Sequence, residues 1–224
     1  CEDLKLKHYE EMTKRKKLHD IVQEMKGNIR VFRRCKPLSK DEASSGQKCV
    51  VEFDGVSDGG IVIANPGTNK KSSKFDRVLT PKDDQAVVHT DAPPLVTSVL
   101  DGYNLCIFAY GQTRTGKTFT MEGTETIRGV NYRILDELFK IAEERKYTVT
   151  YNLSVSVLEQ LIHLSCALRL EIKQDNEGSN HVPGMVEAKV ENIKDVWDVL
   201  RARSKARAVG SNNVNEHNCC SRWS

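Results

Sequence analysis

Residues 111–118 read Gly111-Gln112-Thr113-Arg114-Thr115-Gly116-Lys117-Thr118, a G-x-x-x-x-G-K-T pattern. A strand that turns sharply into a helix, while its backbone N–H groups converge on one anion, needs turn positions without an obstructing Cβ. In that arrangement Lys117 reaches terminal phosphates as a point charge, the Thr118 hydroxyl holds Mg2+, and the helix N-terminus adds partial positive charge. The fixed Gly, Gly, Lys and Thr recur by chance in roughly one chain of this size in a hundred, so the flanking residues decide. Upstream, Leu105-Cys106-Ile107-Phe108-Ala109-Tyr110 has the length and aromatic content of a buried strand and ends where the loop begins. A glycine turn with a fortuitous Lys-Thr pair is the weaker reading.

At 224 residues the chain is long enough for one sizeable core or for part of a larger one. Hydrophobic content of 38% and charged content of 29% fit an ordinary globular protein, and no apolar run approaches membrane-spanning length. No N-terminal apolar segment resembles a secretory signal. The seven cysteines are odd in number and lack C-x-x-C spacing, which argues against a disulfide framework or zinc site and for a reducing cytosol. A net charge of +3 is too small to argue for nucleic acid. The start at Cys1 rather than Met and the stop at Ser224 soon after a helical pattern read as a fragment.

Working outward, residues 1–27 are highly charged, with Leu18, Val22, Met25 and Ile29 on a helical seam that meets Arg15, Glu11 and His8 when followed backward. A short helix is expected there, not a stable coiled coil. Its Lys14-Arg15-Lys16-Lys17 run reads as a solvated face, or else as a contact for an acidic partner. Strand character follows at Ile29 to Cys35, then a polar loop from Ser39 to Gln47, then a hairpin of Cys49 to Phe53 with Ile61 to Ala64, ended by Asn65-Pro66-Gly67. Thr80 to Leu100 is helical in part, and Pro93-Pro94 must break or kink it.

Beyond the loop, Asn131 to Arg145 has helical spacing, and Thr148 to Leu158 alternates Val149, Tyr151, Leu153, Val155 and Val157 as the clearest strand. Leu168 to Ile172 and Met185 to Ile193 are further strands, and Lys194 to Ala208 is a helix. Strands mixed with helices around a phosphate loop give an α/β domain, with helices on both faces of a largely parallel sheet. Such a loop licenses nucleoside triphosphate binding and little more. Hydrolysis also needs a carboxylate near Mg2+, and Glu159 reads as an ordinary strand-end residue. The His163 and Cys166 gap lacks the second pair that a metal site needs.

Several stretches taken together resemble a kinesin motor domain, and the match is specific: Asp101-Gly102-Tyr103-Asn104, Ile107 to Thr113, and Gly116-Lys117-Thr118-Phe119-Thr120-Met121-Glu122-Gly123. Arg34-Cys35-Lys36-Pro37 is similar to the family's R-x-R-P adenine-binding turn, and Phe75-Asp76-Arg77-Val78 to its F-D-x-V element. Asn215-Glu216-His217 resembles the opening of the first switch, N-E-H-S-S-R-S-H. A charged helix ahead of the first motor strand resembles the minus-end-directed kinesins with C-terminal motors, the plant members in particular.

The resemblance implies a P-loop NTPase fold of kinesin type, with ATP and Mg2+ as ligands, microtubules as the track, and a place on the cytoskeleton in the cytoplasm. It implies a charged neck helix at 1–27, through which a homodimer would form, and a partial motor domain at 28–224. Residues 111–118 would hold the phosphates and Thr118 the Mg2+, while Arg34, Lys36, Pro37 and Phe119 would surround the adenine. Neither nucleic acid nor membrane is implied as a partner.

The departures weigh on activity. Lys36 replaces an Arg, and Arg114 replaces a small residue in the cradle. Gln160-Leu161-Ile162-His163 stands where the family has V-Y-N-E, and Asn218, Cys219 and Cys220 replace switch serines and arginine. A thiol or amide is a poor substitute for a hydroxyl on Mg2+. The second switch, D-L-A-G-S-E, is absent, and the resemblance stops short of the C-terminal third of a motor domain. That third supplies the family's neighbours to the phosphate-loop strand, so Leu105 to Tyr110 is expected to have two open edges. A motor ATPase and a non-motile, nucleotide-binding or interaction remnant are the two readings. A small-molecule kinase is disfavoured by the adenine-type turn ahead of the loop.

Overall fold

The computed structural model describes residues 2–53, 58–64, 67, 70–157, 159–161, 172–174, 178, 180–206 and 221–223. In chain order the first elements are α1 (Glu2–Met25), β1 (Phe32–Arg34), α2 (Lys40–Ser44), β2 (Val51–Glu52), β3 (Gly60–Ile63), β4 (Lys71–Lys74) and β5 (Arg77–Leu79). There follow α3 (Gln85–His89), α4 (Pro93–Leu100), α5 (Lys117–Met121), α6 (Val130–Glu144), β6 (Leu153–Val155), β7 (Glu159–Leu161) and β8 (Lys173–Gln174). The last are β9 (Asn180–His181), β10 (Ala188–Val190), α7 (Ile193–Ala206) and β11 (Ser221–Trp223). Two compact units result, Cys1–Leu138 and Phe139–Ser224, divided within α6.

In the first unit β1 and β5 pair in parallel, Phe32 opposite Arg77 and Arg34 opposite Leu79. The Asp76 carboxylate accepts from Val31 N–H at 2.6 Å and so aligns the entry to β1 with the start of β5. Val78 and Leu79 are buried with Ile61, Val96 and Leu100, and these apolar side chains form the core of this unit. The expected hairpin forms as β2 against β3, Val51 opposite Ile63, and β4 extends it on the other edge of β3. Sequence periodicity misses β4 because Lys-Ser-Ser-Lys is a polar edge strand with no apolar face to reveal it. The loop expected at Ser39 to Gln47 instead contains α2. Ser39 Oγ accepts from Glu42 N–H while Glu42 accepts from Ser39 N–H, a reciprocal cap that starts a helix without an apolar seam.

Pro93 and Pro94 break the 80–100 stretch as expected and occupy the opening turn of α4, where their missing N–H groups cost nothing. Asp84 caps α3 by accepting from Val87 N–H at 2.9 Å. The N-terminal helix is longer than the short one expected, with 24 residues, and it packs through polar groups rather than its apolar seam. Leu18, Val22, Met25 and Ile29 stay exposed. His19 Nε2 donates to the Pro94 carbonyl at 2.9 Å, and Arg15 and Lys16 lie 3.5 and 3.8 Å from Asp101, whose side chain is 1% exposed. Asp20 accepts from the Tyr103 hydroxyl, which holds that phenol above its ordinary value. Arg30 closes the helix by donating to the Gln23 and Gly27 carbonyls at 2.8 and 3.1 Å.

In the second unit β6 and β10 pair antiparallel, Leu153 opposite Val190, beside α7 with its buried Val196. The strand expected at Thr148 to Leu158 shortens to Leu153–Val155. Thr148 and Val149 N–H groups donate to Arg145 O and so stay wound on the end of α6, and Arg145 reaches the Tyr151 hydroxyl at 3.4 Å. The strand at 185–193 shortens to β10, while residues 168–171 of the other expected strand lie outside the described residues. β8 pairs with β9 and β7 with β11, both antiparallel.

Among the described residues the ladders are separate and short, and β1 with β5 is the parallel one. Helices and strands are mixed along the chain as the expected α/β class requires. Leu105 to Tyr110 has the composition of a buried strand, and both its edges are open among the described residues, as the missing neighbours led one to expect; the strand itself does not form. These residues form no ladder, and Phe108 and Tyr110 are 86% and 101% exposed. An extended segment becomes a strand only when neighbours satisfy its N–H and C=O groups, and no described segment does so here.

Two outcomes follow from this packing. Replacing Asp101 by Ala removes the carboxylate that holds Arg15 and Lys16, so amides of α1 exchange faster in hydrogen–deuterium exchange while those of β3 keep their rates. His89 Nε2 is buried without a hydrogen-bond partner among the described residues. Burial first, then the Arg133 guanidinium, hold its imidazole below the ordinary value, with Glu137 acting in the opposite sense. The unfolded chain therefore takes up this proton more readily, and the stability present above about pH 6.5 is lost as pH falls. Urea midpoints measured at about pH 7.5 and 5.5 drop on acidification, and the drop is smaller in His89→Leu.

Candidate nucleotide site

The phosphate-type loop is shaped by its own short bonds. Gly116 sits at φ 90° and ψ 20°, immediately before α5. A Cβ there would meet nothing within 4 Å, so the left-handed backbone alone selects glycine. Gly123, after α5, has φ +75°, and there a Cβ would stand 2.1 Å from the Ile127 carbonyl oxygen. Thr115 Oγ1 donates to the Gln112 carbonyl at 2.7 Å. Lys117 Nζ folds over the loop and donates to the carbonyls of Gly111 and Gln112, both at 2.8 Å. Residues 111–115 face solvent, and Thr118 is exposed in the first turn of α5. Arg114 is the one non-glycine among the described residues with positive φ, 66°, a conformation that costs a side chain about 1–2 kcal/mol.

Beside α5 the structure brings Arg34 and Phe119 together. The Arg34 guanidinium carbon lies 5.3 Å from the centroid of the Phe119 ring. Its Nη1 donates to Gln85 Oε1 and to Thr120 Oγ1, each at 2.9 Å. Gln85 Nε2 in turn donates to the Phe119 carbonyl at 2.5 Å. Burial lowers the Arg34 pKa, with Asp83 and Asp84 acting in the opposite sense, and the group stays charged at neutral pH.

Lys36 turns elsewhere: its ammonium lies 3.5 Å from Glu42, against the α2 cap, and Pro37 continues the extended segment between β1 and α2. The Cys35 thiol, between Arg34 and Lys36 in sequence, is half-buried, and burial pushes its pKa up. Asn215, with Asn218, Cys219 and Cys220, lies outside the described residues, as do His163 and Cys166. Gln85 and Thr120 join the site without being among the residues the sequence points to. Thr120 follows the loop motif by two positions and could have been found there, whereas Gln85 carries no local signal beyond its place after the capping Asp84.

A G-x-x-x-x-G-K-T loop opening a helix, with a cation and an aromatic ring stacked beside it, defines the class of P-loop nucleoside triphosphate-binding proteins. Residues 34–222 match the family model described as Kinesin motor domain. The chain belongs to the kinesin motor domain family. It is 72% identical over 225 residues to Kinesin-like protein KIN-14E of Oryza sativa subsp. japonica, covering 97% of this chain and 21% of that protein. It is 59% identical to Kinesin-like protein KIN-14R of Arabidopsis thaliana, with the same coverage of 97% and 21%. Among solved structures, KIF14 with ADP in complex with a microtubule superposes with a TM-score of 0.76 at 25% identity, covering 87% of this chain and 59% of that one. A fast kinesin superposes with a TM-score of 0.73 at 29% identity, covering 84% and 55%. The chain thus spans about a fifth, 21%, of the length of these two plant relatives.

The two glycines separate backbone strain from collision. Gly116→Ala is expected to lower stability by about 1–2 kcal/mol, the cost of the left-handed backbone alone. Gly123→Ala must also displace the Ile127 carbonyl and lowers it further, as thermal denaturation of the two variants will show.

Proposed function

We propose that this chain is the nucleotide-docking part of an ATP-driven microtubule motor, with residues 1–27 as a neck helix and 28–224 as a partial motor domain. The observation that carries this reading is the Lys117 ammonium, held over the loop by the Gly111 and Gln112 carbonyls, where a phosphate offers stronger, charged acceptors. Gln112, Thr113, Arg114 and Thr115 line the cradle between the two glycines, and Arg34 with Phe119 offers a stacking surface to the adenine. Lys36 and Pro37 complete that turn.

The residues fit Mg2+. Among the described residues no group of three or more His, Cys, Asp or Glu could hold a metal, but Mg2+ requires no such cage. It keeps most of its waters and takes one or two hard oxygens plus phosphates, a role the Thr118 hydroxyl suits. Asn215 opens the remnant of the first switch. Microtubules are the partner, which puts the protein on the cytoplasmic cytoskeleton, and the exposed Leu18, Val22 and Met25 seam of α1 supports homodimer formation through that helix. No described helix is long and apolar enough to cross a membrane.

A second reading, a non-motile remnant that binds nucleotide or a partner, is favoured by Arg114 in its left-handed conformation within the cradle and by the replacement of the switch serines. Titration with a fluorescent ATP analogue and Mg2+ tests the shared element. Lys117→Ala is expected to weaken binding by about tenfold or more, the loss of a charge-assisted contact. Microtubule-stimulated phosphate release above the Lys117→Ala background supports the motor, nucleotide binding without it supports a nucleotide-binding remnant, and no binding by the unaltered chain overturns both of these and leaves the partner-binding remnant.

A further inference from the structure

Gln85 is the first residue of α3 and is 1% exposed, yet its side chain is entirely polar at the tip. Both ends are used. Its carbonyl oxygen accepts from Arg34 Nη1 at 2.9 Å, and its amide nitrogen donates to the Phe119 carbonyl at 2.5 Å. The Asp84 cap fixes the start of α3, and so the point from which Gln85 projects. Thr120 Oγ1 supplies a second acceptor to the same Arg34 nitrogen, which leaves the guanidinium little freedom to rotate over the Phe119 ring.

We propose that Gln85 is a positioning residue for base recognition: it sets the plane of Arg34 and anchors the backbone of Phe119, so that the two base-stacking groups form one surface. The inference rests on the nucleotide reading of the loop and deepens it. Gln85 acts on the base side alone, because its hydrogen bonds go to Arg34 and Phe119 and none of the loop's internal bonds involves it. The amide is suited to this task because one group offers an acceptor and a donor in opposite directions. A carboxylate keeps the first and loses the second, and an aliphatic chain loses both.

The test compares ATP with inorganic tripolyphosphate, which shares the charged tail and lacks the base, on the unaltered chain and on Gln85→Leu and Gln85→Glu. With Gln85→Leu, ATP affinity falls about tenfold while tripolyphosphate affinity stays within about twofold. A purely structural role would weaken both ligands together. In parallel, NMR of 15N-arginine-labelled protein without nucleotide reads the rotation of the Arg34 guanidinium. Slow rotation in the unaltered chain and in Gln85→Glu, and fast rotation in Gln85→Leu, is the expected pattern.

An ATP-to-tripolyphosphate ratio unchanged by Gln85→Leu overturns the proposal, as does unchanged Arg34 rotation. If the unaltered chain binds neither ligand, the nucleotide reading fails and base recognition falls with it. The Arg34 signal then still decides whether Gln85 holds the guanidinium.

Discussion

The Arg34 guanidinium is the junction on which the site depends. It ends β1, meets the first side chain of α3 through Gln85, and meets α5 through Thr120 and the Phe119 ring. Three elements far apart in sequence are thereby tied by groups whose hydrogen-bonding needs are mutually met. A half-buried cation and a fully buried amide would each be costly alone. Satisfied together, they stiffen their surroundings and leave few alternative arrangements. Phe119 and Thr120 follow Lys117 in α5, so the adenine-type turn meets the helix that the phosphate loop opens, while the loop itself is shaped by its own bonds.

The loop keeps its form although the segment before it forms no ladder. Leu105 to Tyr110 carries apolar side chains into solvent, and in a protein of this class such a run belongs in a sheet. The loop does not lean on it. Gly116 sets the turn through its backbone angle, Thr115 closes it onto Gln112, and Lys117 donates to the Gly111 and Gln112 carbonyls. Local hydrogen bonds and one left-handed glycine shape the cradle.

The N-terminal helix follows a different logic. Its apolar seam suggests pairing with another apolar surface, yet it settles on α4 through His19 and through two cations around the buried Asp101. The seam remains on the outside. A polar contact of this kind is directional and tolerates little sliding, whereas an apolar stripe accepts many registers. The turn that receives it, Asp101 to Tyr103, lies only a few residues before the unpaired segment, so α1 and the phosphate loop flank the same short stretch of chain.

The sequence by itself determined the features that are local in origin. Gly116 ahead of Lys117 and Thr118, the break at Pro93-Pro94, the β2–β3 hairpin and helix α6 all come from backbone preferences or from periodicity within a dozen residues, which neighbours in space do not override. The capping box at Ser39 and Glu42 is equally local, but α2 has no apolar face for periodicity to reveal. What the tertiary structure decided was everything that needs a partner. It left Leu105 to Tyr110 unpaired, shortened the 148–158 strand to the length of β10, and recruited the polar strand β4 onto an open edge. It also buried Gln85 between Arg34 and Phe119. Hydrogen bonding between distant segments has no signature in either segment alone, because each group is satisfied only by what the fold brings beside it.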